Sequence, residues 1–433
     1  MTLDVARFFR ACNPSRTLFV GNPEDRQYYI DFSPVRGSNI IRELGRTILL
    51  SADEPNCQLF TGHIGCGKST ELLRLKTELE EKGFHVVYVE SDEDLDIADV
   101  DVSDILLAIA RQVSASLETA QIPMQPGYFV NLFNEIGSFL KTPIDLGFEA
   151  ELSVGIGKLT AKTKDSPELR SKLRQYLEPR TNGILDAINQ ELLEPARKKL
   201  QRMGKQGLVV IIDNLDRVDS SRKASGRTQS EYLFVDRGEQ LRKLRCHLVY
   251  TVPIPLIFSS ELGPLTNRFG VKPKVLPMVP VQSSDGSKYP QGIALLRQMV
   301  LARAFPNLSE AERLERVLEV FDSPETLDRL CRVSGGHVRN LLVLLYSCLQ
   351  QDDPPLSRSC LESVIKGYRD DLVLSVTHNQ WELLQQIRQE KTLGEEPAYQ
   401  NLLRSLFVYE YRDNQKRWFD VNPALAEAKE LQP

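Results

Sequence analysis

Apolar residues in the first two thirds of the chain come in short continuous runs separated by amphipathic stretches. Later they recur only at helical spacing. Cys57-Gln58-Leu59-Phe60-Thr61 reads as a short buried strand, and Glu71 to Lys82 after it sets Leu72, Leu75 and Leu79 on one helical face. His85-Val86-Val87-Tyr88-Val89-Glu90 is a β-branched run that predicts a second buried strand. An amphipathic helix from about Ser103 to Leu117 follows. Gly207-Leu208-Val209-Val210-Ile211-Ile212 is apolar throughout, as a central parallel strand covered on both faces requires, and it closes on Asp213. His247-Leu248-Val249-Tyr250-Thr251 predicts another strand. Lys274 to Val279 predicts a fifth, of edge type because it contains Pro277. The alternation predicts an α/β fold with a doubly wound parallel sheet.

Residues 119–206 interrupt this rhythm and read as an insertion. Within it Phe148, Ala150, Leu152, Val154 and Ile156 alternate with Glu149, Glu151, Ser153, Gly155 and Gly157, a period of two that predicts a strand or hairpin. Ile184, Leu185, Ile188 and Leu192 mark a helix running toward Leu200. Ser220 to Gln229 is polar, basic and Gly-containing, hence a flexible surface loop. After Pro280 the segments Gly292–Ala304, Ser309–Phe321, Glu325–Val333 and Val338–Leu349 are amphipathic helices, an all-α lid. Helices near Trp381–Gln389 and Tyr399–Leu406 then precede two alternating runs, Phe407–Tyr411 and Arg417–Val421, around Asp413-Asn414. Helices followed by a two-stranded wing predict a winged-helix-like unit. The expected organisation is an N-terminal segment at 1–50, a core at 51–280 with the insertion at about 119–206, a helical lid at 281–370 and the winged-helix-like domain at 371–433.

Composition adds constraints. With 41% hydrophobic and 26% charged residues, the 433-residue chain is of globular type. Its net charge of −5 gives no global attraction to nucleic acid or anionic membrane. Seven scattered cysteines without metal-type spacing predict reduced cytosolic thiols. The start has no long apolar stretch of the secretory kind, and no run approaches the roughly 18 apolar residues of a membrane span. The expected location is cytoplasmic, with no membrane. The acidic run Asp92, Glu93, Asp94, Asp96, Asp99, Asp101 is irregularly spaced and reads as a solvated loop rather than a metal site.

One stretch carries chemistry outright. Gly62-His63-Ile64-Gly65-Cys66-Gly67-Lys68-Ser69, followed by Thr70, satisfies G-x-x-x-x-G-K-[ST], the phosphate-binding loop of P-loop NTPases. Glycines let main-chain N–H groups turn inward around a phosphate, and the following helix adds its positive dipole end. Lys68 suits the β- and γ-phosphates, and the Ser69 hydroxyl suits Mg²⁺. Cys66 reads as a small filler, with a redox switch as the alternative. Asp213 ends its strand where ligands bind in such sheets and is the candidate Mg²⁺ carboxylate. The expected cofactors are therefore ATP and Mg²⁺. Aromatic and aliphatic residues around Tyr28-Tyr29-Ile30-Asp31-Phe32 suit a surface for the adenine base, or plain packing.

Taken together, GHIGCGKST, LVVIIDNLDR, the Thr251 strand and Ser334-Gly335-Gly336-His337-Val338-Arg339-Asn340-Leu341 resemble the AAA+ and STAND class of P-loop ATPases over about residues 20–350. Origin-recognition and Cdc6-like members share a core, helical lid and winged helix. The phrase I-I-D-N-L-D-R also resembles KAP and bacterial STAND-type NTPases, and the choice between these stays open. The resemblance implies that Lys68 and Ser69 are the Walker A pair and Asp213 the Walker B aspartate. It further implies that Thr251 is sensor 1, a polar side chain reading the γ-phosphate or lytic water, and Arg339 sensor 2. Arg268 sits where an arginine finger is often placed, with a surface salt-bridging arginine as the alternative. AAA+ proteins follow the Walker B Asp with a catalytic Glu, whereas here that position is Asn214, which cannot act as a base. Asp216 is then the nearest acid to orient water. The implied function is an ATP-binding, slowly ATP-hydrolysing switch whose lid and tail positions control a partner protein. A DNA-binding ATPase resembling replication initiators, or a non-hydrolysing nucleotide-bound scaffold, are the alternatives, and homo-oligomerisation is left open.

Overall fold

The computed structural model describes residues 3–122, 124, 127–139, 154–157, 159, 166–218, 226–394, 397–413 and 416–432. Helices α1 (Val5–Ala11) and α2 (Ile40–Leu50) precede strand β1 (Cys57–Gly62). Then come α3 (Lys68–Glu81), β2 (His85–Glu90) and α4 (Val102–Thr119). Between α4 and β3 (Leu208–Asp213) the described elements are helical, and β4 (His247–Thr251) and β5 (Lys274–Leu276) follow. The remainder includes α5 (Pro290–Ala304), α6 (Pro324–Val333), α7 (Val338–Gln351), α8 (Arg358–Ser375), α9 (His378–Glu390), α10 (Pro397–Arg404) and the strands β6 (Val408–Arg412) and β7 (Arg417–Val421).

The chain divides into two compact units, Ile41–Thr61 with Leu75–Lys274, and Met1–Ile40 with Gly62–Arg74 and Val275–Pro433. The first holds strands β2, β3 and β4 and all of β1 but Gly62, and the strand order of the sheet is β2-β3-β4-β1-β5. The pairs β1–β4, β3–β4 and β2–β3 are all parallel. Every residue of β3 is buried, which is why its sequence shows no polar alternation before Asp213. Register brings the carboxyl ends level: Glu90 stands opposite Asp213, and Phe60 opposite Thr251. Helix α4 packs on β2, and the helix Glu194–Arg202 packs on β3.

In the second unit α1, α5, α6, α7 and α8 share one apolar core that includes Phe8, Leu296, Val300, Leu330, Leu341, Leu345 and Leu361. Helix α8 runs unbroken across the boundary expected near residue 370. Helices α9 and α10 lead into the antiparallel hairpin β6–β7, paired from Val408↔Val421 to Arg412↔Arg417, the winged-helix-like arrangement. The run expected as one strand over Lys274–Val279 stops at Leu276, because Pro277 has no N–H for a ladder. Beyond it Met278 pairs instead with the hairpin, its N–H donating to Glu410 O at 3.0 Å.

Two expectations need correction. The alternation at Phe148–Gly157 falls mostly outside the described residues, and its last four residues, 154–157, are helical rather than extended. The surface loop expected at Ser220–Gln229 likewise lies largely outside them. The acidic run is not a solvated loop: its carboxylates meet arginines from distant segments. Asp92 pairs with Arg217 at 2.7 Å, Asp94 with Arg111, and Asp96 with Arg170. Arg174 gathers Asp99, Asp101 and Asp104 at 2.6, 3.7 and 3.6 Å. Repulsion between neighbouring acids is offset by guanidiniums, and Asp101 closes the turn by capping α4.

Burial separates these pairs energetically. The Asp94 side chain is 4% exposed, whereas Arg217 and Asp92 are each 37% exposed. Arg111→Ala should therefore lower the unfolding free energy by about 2–3 kcal/mol, because it leaves a buried carboxylate short of its cation. Arg217→Ala should cost less than about 1 kcal/mol. Paired urea melts of the two variants measure the contrast.

Candidate nucleotide-binding site

The phosphate loop turns on two glycines in left-handed backbone, Gly65 at φ +86° and Gly67 at φ +104°. A Cβ at Gly65 would lie 2.7 Å from His337 Cε1 and 2.9 Å from Arg339 Cβ, so no side chain fits there. At Gly67 the corresponding space is open, with no atom within 4 Å, which suits a phosphate approaching the main chain. Helix α3 begins at Lys68, so Ser69 and Thr70 stand in its first turn. The buried Lys68 ammonium donates to Gly62 O and His63 O, each at 2.8 Å. Ile64 is exposed at the bend, and Cys66 is buried with its thiol 3.7 Å from Leu276 O.

The loop is gripped residue by residue from the C-terminal part of its own unit. His63 Nε2 accepts from the Glu410 N–H at 2.9 Å. His337 Nε2 donates to Ile64 O at 2.7 Å, while its Nδ1 accepts from the Asn340 N–H and so caps α7. These two bonds fix His337 as the neutral tautomer protonated on Nε2. The Arg339 N–H donates to Gly65 O at 3.1 Å. Tyr409 lies between the two imidazoles, stacked on His337 and edge-on to His63. Burial pushes His63 from its ordinary 6.5 down to about 3, helped by the nearby His337 and Lys68. Burial likewise pushes His337 down to about 4. Both rings are uncharged near neutral pH.

The N-terminal segment supplies a further support. Arg36, 2% exposed, donates from Nη2 to Cys66 O at 2.8 Å and lies over the Phe32 ring. The Tyr29 hydroxyl donates to Glu71 Oε1 at 3.1 Å, and Arg74 pairs with the other Glu71 oxygen at 3.0 Å. Burial raises the Glu71 carboxyl above its ordinary range against the pull of Arg74 and Arg36. Tyr29 and Phe32 thus lie in the aromatic stretch that the sequence offers for a base. Arg36, Glu71, His337 and Glu410 went unnoticed there as single residues.

The remaining candidates lie in the sheet unit. Asp213 is buried, its carboxylate accepting from Tyr88 Oη at 2.7 Å and from the Asn214 N–H at 2.8 Å. Asn214 adopts a left-handed φ of +65°, and its amide donates to Asp92. Thr251 sits at the end of β4, where its hydroxyl accepts from the Leu215 N–H and donates to Ile212 O. Those bonds tie the Asp213 turn to β4. Asp216 is 9% exposed in the short turn after Asn214. Arg268 is half-exposed, donating to Val235 O at 3.0 Å and lying 3.6 Å from Glu239. Sequence reasoning missed Glu90, the register partner of Asp213, although its strand also ends in an acid. Burial together with Glu93, Asp92 and Asp213 raises its carboxyl. Among the described residues no cluster of three or more His, Cys, Asp or Glu forms a ready metal site, and no helix is long and apolar enough to cross a membrane.

A glycine-bent loop opening a helix after β1, with acids closing two neighbouring strands of a parallel sheet, defines a P-loop NTPase fold. A helical domain and a winged-helix-like tail accompany it. Among solved structures the chain is similar to the Walker-type ATPase PABY2304 of Pyrococcus abyssi, with 13% identity, 96% of this chain and 98% of that one covered, and a TM-score of 0.44. It is also similar to the Orc1 protein of Aeropyrum pernix in complex with DNA, with 14% identity, 95% and 96% covered, and a TM-score of 0.39. The Orc2 protein of Aeropyrum pernix in its ADP form gives 12% identity, 96% and 94% covered, and a TM-score of 0.40. No protein-family model and no curated protein matches the chain.

The neutral imidazoles make a pH prediction. Folded His337 and His63 titrate near 4 and 3, whereas in the unfolded chain they take up protons from about 6.5 downward. Stability should therefore fall as pH drops below about 6.5, reaching ~2 kcal/mol per ring at pH 5. Because Asn also caps a helix, His337→Asn should show a shallower loss of Tm between pH 7 and pH 5 than wild type.

Proposed function

We propose that this protein is an AAA+/STAND-class switch that binds ATP with Mg²⁺ on its phosphate loop and hydrolyses it slowly. Nucleotide state would set the positions of the helical domain and tail, and a partner protein would read them. The observation that carries this reading is the direct hold of α7 on the loop, through Arg339 N–H to Gly65 O and His337 to Ile64 O. A loop that closes on phosphate cannot move without disturbing these bonds. In this reading Lys68 takes the β- and γ-phosphates, Ser69 and Asp213 hold Mg²⁺, and Arg339 senses the γ-phosphate. Thr251 steadies the Asp213 turn. Arg268, already engaged with Val235 and Glu239, is left outside the site. For DNA the hairpin tip offers Arg412, Lys416 and Arg417, and Arg417 faces Glu410 at 3.5 Å. That is too thin a footprint to displace a protein partner as the preferred reading.

Lys68→Ala should weaken ATP binding by about 10- to 100-fold while the chain remains folded, the loss of one charge-assisted phosphate contact. Arg339→Ala should narrow the affinity gap between ATP and ADP and blunt any ATP-dependent change in protease sensitivity over residues 281–350. Calorimetry with both nucleotides beside limited digestion reads the two effects. Wild-type affinity in a folded Lys68→Ala chain would remove the assignment.

Turnover needs a group that positions water, and Asp216 is proposed for it. Asp216→Asn should spare nucleotide binding and lower single-turnover hydrolysis by about 10²- to 10⁴-fold. If Glu90→Gln produces that loss and Asp216→Asn does not, the role belongs to Glu90.

A further inference from the structure

His63 occupies a variable position of the phosphate loop, yet its side chain is fully buried and bonded to the hairpin. Its main-chain carbonyl is bonded to Lys68 Nζ at 2.8 Å, as is that of Gly62. One residue therefore joins the phosphate-binding cation to strand β6. The hairpin β6–β7 holds buried polar atoms without a hydrogen-bond partner among the described residues. Neither carboxylate oxygen of Glu410 has a hydrogen-bond partner, and neither does the indole Nε1 of Trp418. The Glu410 side chain has a loose ionic contact with Arg417 at 3.5 Å. Buried polar groups without partners are rare in native proteins and favour any state that hydrates them. The hairpin is thus docked at a cost, and the bond to His63 is among those that keep it there.

We propose that His63 is the positioning residue through which nucleotide controls the hairpin: a nucleoside triphosphate draws Lys68 off the Gly62 and His63 carbonyls, His63 shifts, and β6–β7 loosens. The inference rests on ATP binding at the loop, and it adds the route and the direction. Competition supplies the mechanism. The Lys68 ammonium gives up two neutral carbonyl acceptors for charged phosphate oxygens, which are the stronger partners. Released from Lys68, the Gly62–His63 peptide is free to reorient around the phosphates. The imidazole then loses the placement that brings Nε2 within 2.9 Å of the Glu410 N–H. Hydration of the Glu410 carboxylate and the Trp418 indole favours the loosened hairpin. His337 and Arg339 hold Ile64 and Gly65 from a different element, so α7 need not follow β6.

The test is hydrogen–deuterium exchange of the 408–421 amides in the full chain, without nucleotide and with a non-hydrolysable ATP analogue plus Mg²⁺ at saturation. Occupancy is verified separately by calorimetry for each variant. Wild type should exchange slowly without nucleotide and about tenfold or more faster with the analogue. His63→Ala should exchange fast in both conditions, and His63→Gln, whose amide oxygen can accept from Glu410 N–H, should restore the nucleotide-dependent difference. If wild type binds the analogue and the hairpin amides do not respond, the route is overturned, as it is if His63→Ala responds like wild type. If wild type binds no nucleotide, the ATP reading itself fails, a different and separately visible result. Should His63→Ala not fold, the wild-type comparison still decides, and fluorescence of Trp418 in a Trp381→Phe chain reports the same loosening.

Discussion

A loop that cradles an anion must turn its N–H groups inward, so its main chain is anchored through its carbonyls. In this protein that constraint is met at consecutive positions. The carbonyls of Gly62 and His63 accept from Lys68, that of Ile64 from His337, that of Gly65 from the Arg339 N–H, and that of Cys66 from Arg36. The donors come from the loop's own helix, from α7 and from the N-terminal segment. With the Ile64, Gly65 and Cys66 carbonyls held by donors that no phosphate displaces, this part of the loop is shaped before any ligand arrives, which lowers the ordering cost of binding. It also means that a disturbance of the loop reaches three separate pieces of chain. Lys68 is the one donor among them that a phosphate also needs.

The buried charges around this arrangement follow the same logic. Among the described residues Arg36 is buried without a salt-bridge partner, and desolvation lowers its pKa, yet one bond to Cys66 O and the face of Phe32 replace some of its hydration. Glu71 is buried nearby with Tyr29 and Arg74 on its two oxygens. Arg36 and Glu71 each have at least one side-chain hydrogen bond, whereas the Glu410 carboxylate has none among the described residues, and burial raises its pKa to about 7.

The sheet and the loop were legible in the sequence for identifiable reasons. Parallel strands covered on both faces need unbroken apolar runs, so Leu208–Ile212 and His85–Val89 announce themselves, and phosphate chemistry restricts Gly62, Gly67, Lys68 and Ser69 to one pattern. The tail hairpin was legible from two alternating runs around a turn, and its pairing starts and ends within a residue of them. What failed to show depends on partners far along the chain. The acidic run looks solvated until Arg170 and Arg174 fold onto it. His63 meets Glu410 347 residues away, and His337 meets Ile64 across 273 residues, so neither imidazole carries a local signature. Glu90 could have been found, since its strand ends in an acid as β3 does, but one acid after an apolar run is common.

The loop's unit is discontinuous: it takes Met1–Ile40, a short middle piece Gly62–Arg74, and Val275–Pro433. On the ribosome the middle piece emerges early, while its hydrogen-bonding partners in α7 and β6 are still hundreds of codons away. The sheet unit has its last strand-forming residues well before then and can begin to fold first. A phosphate loop held in part by late-made residues cannot acquire its final shape on the nascent chain. Any capture of a phosphate by this loop would therefore wait for the residues of α7 and β6, and a premature stop codon before the hairpin would leave a sheet with a loose loop.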